Sequence, residues 1–166
     1  MLSGTGSVHT RVAPAAAFAY LADPSHASEW FANVAAQELE PGPLRAGLRW
    51  RFVAQSGKPD AKPVRMTAYE PTKRFTWETQ LAGSRTNIVW ELEVAPAPEG
   101  GTTLRLTMRW RPGPLGWPLA LAATTLMRGV LPRRAQRTVE HARDAVEAAY
   151  PAPTPRAPAG RRPKRP

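Results

Sequence analysis

The stretch that most constrains this chain runs from Leu115 to Tyr150, which reads as one long helix with two unlike halves. From Leu115 to Leu131 the sole charge is Arg128, amid Leu119, Leu121, Leu126, Met127 and Val130. From Arg133 to Tyr150, Ala135, Val139, Ala142, Val146 and Ala149 recur at helical spacing with Arg, Glu and Asp between them. That is the pattern of a helix with one face against a core. Pro118 suits its first turn, and Pro132 removes a backbone hydrogen bond inside it, which predicts a kink or a split. A membrane span needs roughly 20 apolar residues, and Gly116, Pro118 and Pro132 interrupt or bound this run. Burial in a protein core is therefore preferred over a span. Docking on a membrane surface beside Arg128, Arg133, Arg134 and Arg137 is the lesser alternative.

A helix of this kind needs a wide apolar surface, and the residues before it supply one. Met1 to Gly6 is small and Gly-rich and reads as a flexible N-terminus; Ser7 to Val12 alternates as a first strand. Pro14 opens a helix carrying Phe18 and Leu21. Asp23-Pro24 starts a second, short helix that ends near Trp30-Phe31. Six strands are then predicted, at Val34–Glu40, Leu48–Gln55, Val64–Glu70, Arg74–Leu81, Thr86–Ala95 and Thr102–Trp110. Pro- and Gly-rich turns separate them, which implies an antiparallel meander. A two-residue turn at Gly83-Ser84 fixes one register. Trp77 then faces Trp90, Phe75 faces Leu92 and Thr79 faces Ile88. On the other side Arg74 faces Glu93 and Thr76 faces Glu91. A one-residue slip would mix the two sets. The sheet thus has a dry face and a wet face. The expected fold is α+β, a curved antiparallel sheet of about seven strands wrapped around the long C-terminal helix, with two short helices after the first strand.

At 166 residues the chain suits one domain, long enough to bury roughly 68–70% of its unfolded surface. It has no Cys and three scattered His, which excludes disulfides and thiolate sites and disfavours any metal centre. No basic-then-apolar leader precedes the first strand, so a cytoplasmic location is expected. Half of the net charge of +10 sits after Pro151, on Arg156, Arg161, Arg162, Lys164 and Arg165 in a Pro-rich tail without an acid. Residues 151–166 read as disordered. Such a tail can hold nucleic acid or an anionic surface, but a solvated end that aids solubility is the preferred reading.

Within residues 7–150 the order and spacing of several motifs resemble the START-like, or SRPBCC, superfamily, and in particular its polyketide cyclase/dehydrase-like branch. The residues that carry the likeness are Val12-Ala13-Pro14, Phe18-Ala19-Tyr20-Leu21-Ala22-Asp23-Pro24 and Glu29-Trp30. They continue with Pro43-Leu44-Arg45-Ala46-Gly47, Tyr69-Glu70-Pro71, Arg74-Phe75 and Gly100-Gly101-Thr102. The resemblance implies a helix-grip fold with a cavity between the terminal helix and the concave sheet. It implies a hydrophobic small molecule of polyketide, lipid or quinone class as ligand. It leaves function open, because fold does not settle activity.

The residues independently suggest an apolar pocket. Small Ala122 and Ala123 lie between Leu119 and Leu126 on the helix; the sheet contributes Trp50, Phe52, Met66, Trp77, Trp90, Leu106 and Met108. Aromatic walls with few polar groups describe a small-molecule site, although the same Trp residues could simply fill a core. Acid–base candidates are thin. His26 lies in the second short helix, near where the resemblance places the cavity mouth, and an imidazole is a residue type suited to proton transfer. Tyr69 faces inward if the Pro71 turn has odd length. No Ser–His–Asp set, P-loop or dinucleotide motif is present, so no cofactor is indicated. Three functions remain. The first is binding of a hydrophobic small molecule, the second a polyketide cyclase or dehydratase acting in the same cavity. The third is a protein or nucleic-acid interaction module using the basic helix and tail.

Overall fold

The computed structural model describes residues 1–31, 34–54, 62–80, 87–111 and 117–151. Seven strands form one antiparallel sheet: β1 (Leu2–Thr10), β2 (Val34–Gln37), β3 (Arg49–Ala54), β4 (Lys62–Glu70), β5 (Arg74–Gln80), β6 (Asn87–Pro96) and β7 (Thr102–Arg111). Their spatial order is β1-β7-β6-β5-β4-β3-β2. Only β1 is out of sequence: it pairs with the last strand, and the other six run as a meander. Two short helices, α1 (Pro14–Ala22) and α2 (Ala27–Trp30), follow β1 and are joined by a 3-10 turn at Pro24–His26. The Asp23 carboxylate caps that turn by accepting from the Ser25 N–H at 2.8 Å, the role expected of Asp before Pro. The long helix α3 spans Trp117–Ala149 and continues through Pro132. This is the helix-grip architecture.

The register of β5 against β6 pairs Trp77 with Trp90, Phe75 with Leu92, Thr79 with Ile88, Arg74 with Glu93 and Thr76 with Glu91. The predicted Gly83-Ser84 turn itself lies outside the described residues. β7 extends both faces: Met108 stands opposite Trp90 and Leu106 opposite Leu92, while Arg109 on the wet face reaches the Glu91 carboxylate with two hydrogen bonds of 3.0 and 2.9 Å.

The N-terminus departs from expectation. Residues 1–6 are not a loose lead-in; β1 begins at Leu2 and pairs with β7 through Trp110. Gly4 and Gly6 point to the dry face, where α3 lies directly on them. A Cβ on Gly4 would stand 2.3 Å from the Pro132 nitrogen, and one on Gly6 would stand 2.5 Å from the Gln136 Cα. Glycine here permits backbone-to-backbone approach. The same contact protects an edge strand. Gln136 accepts from the Ser7 N–H at 3.2 Å, and the Thr10 hydroxyl donates to Glu147 at 2.8 Å. Side chains of α3 thereby engage the C-terminal half of this edge strand, at Ser7 and Thr10.

The second half of α3 buries the stripe Leu131, Ala135, Val139, Ala142 and Val146 against β1 and β7, as its period predicts. Pro151 is the last described residue, so the disordered basic tail assigned to residues 151–166 lies otherwise outside the described residues.

Candidate functional site

The dry face of the sheet carries its large side chains in rows. Trp50 and Val64 share one row with Thr79, Ile88 and Trp110; Met66, Trp77, Trp90 and Met108 form the next; Tyr69, Phe75, Leu92 and Leu106 the third. Every sheet residue proposed from the sequence as pocket-lining is buried here: Trp50, Phe52, Met66, Trp77, Trp90, Leu106 and Met108. Sequence reasoning did not single out what covers the aromatic part of this floor. α2 presents Trp30, which is buried, and its C-cap residue Phe31, which is half-buried. Their rings complete a continuous cluster. Trp77 lies 5.4 Å from Trp30, 5.2 Å from Trp50, 5.9 Å from Phe52 and 5.1 Å from Phe75.

This cluster has an unusual polar feature. Among the described residues, the buried indole N–H groups of Trp30, Trp50, Trp77 and Trp90 have no hydrogen-bond acceptor. An indole nitrogen only donates, and a buried donor left unpaired costs about 1–3 kcal/mol. Four of them in one aromatic cluster is a large sacrifice for a purely structural core.

Of the four helix residues of the expected pocket, two depart from expectation. Ala122 is exposed and Leu126 is 63% exposed, so neither is packed against the sheet. Leu119 and Ala123 lie outside the residues whose side chains are described. The physical reason is the way α3 is seated: it packs over β1 and β7 through Gly4 and Gly6, while α2 takes the cover of the aromatic rows. A groove of about 740 Å³ opens elsewhere, lined by Glu38, Arg49, Arg51, Arg65 and Glu78 among others. Its size suits a small molecule. Trp50 and Val64 reach it from the dry face, but most of its lining is charged, and that does not suit an apolar ligand.

The polar candidates fall in two separate places. His26 belongs to a knot at the joint of α1 and α2. Its ring stacks on Tyr20 at 4.2 Å between centroids, and its Nδ1 lies 2.9 Å from the Glu29 carboxylate. The Tyr20 hydroxyl donates to the other oxygen of Glu29. Burial and the adjoining carboxylate push the Tyr20 phenol well above its ordinary range, whereas the hydrogen bonds from Tyr20 and His26 hold Glu29 below the usual carboxylate range. Tyr69 stands elsewhere. A three-residue turn, Pro71–Lys73, sets it opposite Phe75 on the dry face, and a bulge between Met66 and Ala68 lets Met66 face inward as well. Its ring packs on Phe18 at 5.6 Å. Among the described residues no hydrogen bond or ring contact joins His26 to Tyr69 or to a shared partner, so they do not form one catalytic pair. Among the described residues no group of three His, Asp or Glu could hold a metal ion, and no helix is long and apolar enough to cross a membrane.

Residues 1–147 match the family model described as polyketide cyclase/dehydrase and lipid transport. The chain belongs to that family. The match starts at residue 1, in agreement with the ordered β1. Comparison with curated proteins finds no significant match. Solved structures of the same fold include one half of the di-domain ARO/CYC StfQ from the steffimycin biosynthetic pathway. It shows a TM-score of 0.66 at 17% identity and covers 89% of this chain and 51% of that one. DynU16, from the dynemicin biosynthetic locus, gives 0.63 at 16% identity, over 89% and 48%. Protein SA2116 of Staphylococcus aureus, of unknown function, gives 0.67 at 13% identity, over 89% and 94%. Likeness at such identities shows the fold alone.

In this member of the polyketide cyclase/dehydrase family the Tyr20–Glu29–His26 knot fastens α2, and hence Trp30 and Phe31, to α1. Tyr20→Phe is expected to cost roughly 1 kcal/mol, since the bond is to a half-exposed charge. The pH dependence has two limbs. The depressed Glu29 group stabilises the fold above its ordinary value near pH ~4.3, and that contribution is lost as pH falls through the folded-state value. The raised Tyr20 group stabilises below pH ~10 and its contribution is lost as pH rises further. Urea unfolding of wild type and Tyr20→Phe across pH should show the difference between them widest near neutrality. A pH-independent difference would mean that the knot is not coupled to titration.

Proposed function

We propose that the protein binds an apolar, ring-bearing small molecule that carries oxygen acceptors, the chemistry of an aromatic polyketide or a quinone, in the aromatic interior beneath α2. The observation that carries this reading is the set of four buried indole N–H groups, of Trp30, Trp50, Trp77 and Trp90, that have no acceptor among the described residues. A saturated lipid chain would leave all of them unpaired. A planar ring bearing carbonyl or phenol oxygens stacks on the same walls and supplies acceptors. Membership of the cyclase/dehydrase family and the likeness to StfQ agree with that ligand class.

Cyclase-type chemistry is a second reading, favoured by the inward phenol of Tyr69 beside Phe18 and Phe75. It would fold a flexible chain away from water with Tyr69 assisting, and His26 is less well placed because Glu29 and Tyr20 already engage it.

The test is a thermal-shift and tryptophan-fluorescence comparison of 1,8-dihydroxyanthraquinone with a saturated fatty acid of similar apolar area. The quinone at a hundredfold excess over its Kd should add about 2.7 kcal/mol, raising Tm by roughly 5–11 °C and quenching tryptophan. An equal effect of the fatty acid would remove the acceptor argument, and no effect of either would remove the binding reading. With a chain-like polyketide substrate, turnover unchanged in Tyr69→Phe would exclude the catalytic role.

A further inference from the structure

We infer that Phe31 is an internal stand-in for the ligand: its ring occupies a slot built for one planar ring, and a ligand binds by displacing it. The inference rests on the binding reading above and adds where in the interior the ligand's ring goes. Four aromatic rings pack around Phe31: Trp30 at 4.3 Å, Phe52 at 5.6 Å, Trp77 at 5.8 Å and Trp90 at 5.6 Å. Trp77 lies nearly parallel to it, at 27°, and Trp90 presents an edge at 82°. These are the offset-stacked and edge-to-face geometries that an aromatic guest prefers.

Phe31 differs from its walls in two ways. Phe52, Trp77 and Trp90 project from strands whose ladders fix their direction, and all are buried; Phe31 is half-buried and sits at the end of a four-residue helix. Its backbone is held by an N–H bond of 2.8 Å to the Ala27 carbonyl, so the ring can leave by side-chain rotation while the chain stays in place. It also carries no hydrogen-bond acceptor. Its neighbours Trp30 and Trp90 each have a buried indole N–H with no acceptor among the described residues, and a phenyl ring has no oxygen to offer them. A keto- or hydroxy-substituted ring reproduces the stacking and adds what Phe31 lacks.

The experiment measures 1,8-dihydroxyanthraquinone affinity by tryptophan quenching in wild type, Phe31→Ala, Phe31→Leu and Phe31→Trp, with toluene binding followed by Tm. Removing the competitor should tighten quinone binding at least tenfold in Phe31→Ala and by less in Phe31→Leu. Phe31→Trp, which fills the slot more fully, should weaken it by a similar factor. The emptied slot should also take toluene, raising the Tm of Phe31→Ala and leaving wild type unmoved, because ring-sized apolar cavities accept such guests. Wild-type quinone binding that is unchanged or weakened in Phe31→Ala and Phe31→Leu overturns the role of Phe31 and leaves the binding reading standing. Toluene rescue of Phe31→Ala without quinone binding by any variant supports the slot and overturns the ligand class. Neither quinone nor toluene binding by any variant overturns both.

Discussion

Gly6→Ala is expected to cost about 3 kcal/mol, the top of the usual range for overpacking a core, and to lower Tm by roughly 6–12 °C. The added Cβ would meet Gln136 Cα at 2.5 Å, Gln136 N at 2.6 Å and the Ala135 carbonyl carbon at 2.8 Å. All three are backbone atoms of a helix and none can rotate aside. Gly4→Ala is equivalent one row away, with Pro132 N at 2.3 Å and the Leu131 carbonyl carbon at 2.4 Å. Relief requires α3 to lift from β1, which loosens the buried stripe from Leu131 to Val146. One lift accommodates both methyl groups, so the double variant should lose less than the sum of the singles, a coupling expected of contacting sites. Gly129→Ala is the internal control. Nothing lies within 4 Å of that Cβ and the residue is helical, so alanine should stabilise by about 0.8–1.0 kcal/mol. Urea denaturation followed by circular dichroism measures all four. Gly4→Ala and Gly6→Ala variants as stable as wild type would show that α3 does not sit this close.

The same two glycines mark where the sequence was opaque. Their small size and poor strand propensity describe a loose terminus locally, and the requirement for them comes from a helix more than a hundred residues later. The β5–β6 register was legible because it was overdetermined: aromatic rows and charge pairs agree in one alignment and in no neighbouring one. The second half of α3 was legible for a similar reason, since its apolar stripe repeats over several turns. The first half was not. Hydropathy places Ala122 and Leu126 toward the sheet, but the cover over the aromatic floor is α2, and a helix of four residues is too short to show a period. Trp30 and Phe31 could have been flagged only as two adjacent large aromatics at a helix end. The His26–Glu29 pair has i,i+3 spacing and was within reach, but Tyr20 comes from another helix, and it is Tyr20 whose stacking and hydrogen bond tie that pair to α1.

Trp77 separates the packing role of the interior from its binding role. Trp77→Ala should cost about 3–5 kcal/mol, as full truncation of a large buried ring does, because Trp30, Phe31, Trp50, Phe52 and Phe75 all pack on this indole. That is roughly 6–20 °C in Tm. Trp77→Phe should cost far less, within about 2 kcal/mol. It keeps a ring against the same neighbours and removes a buried donor whose missing acceptor already costs about 1–3 kcal/mol. If the indole served packing alone, this mild substitution would leave ligand affinity unchanged. If the N–H awaits a ligand oxygen, Trp77→Phe should weaken 1,8-dihydroxyanthraquinone by roughly tenfold, a lost hydrogen bond of about 1.4 kcal/mol, while binding of an unsubstituted aromatic hydrocarbon stays constant. Titration calorimetry with both compounds decides it. Stability measures how well the rings fill the interior, and the difference between the two ligands measures what their N–H groups are kept for.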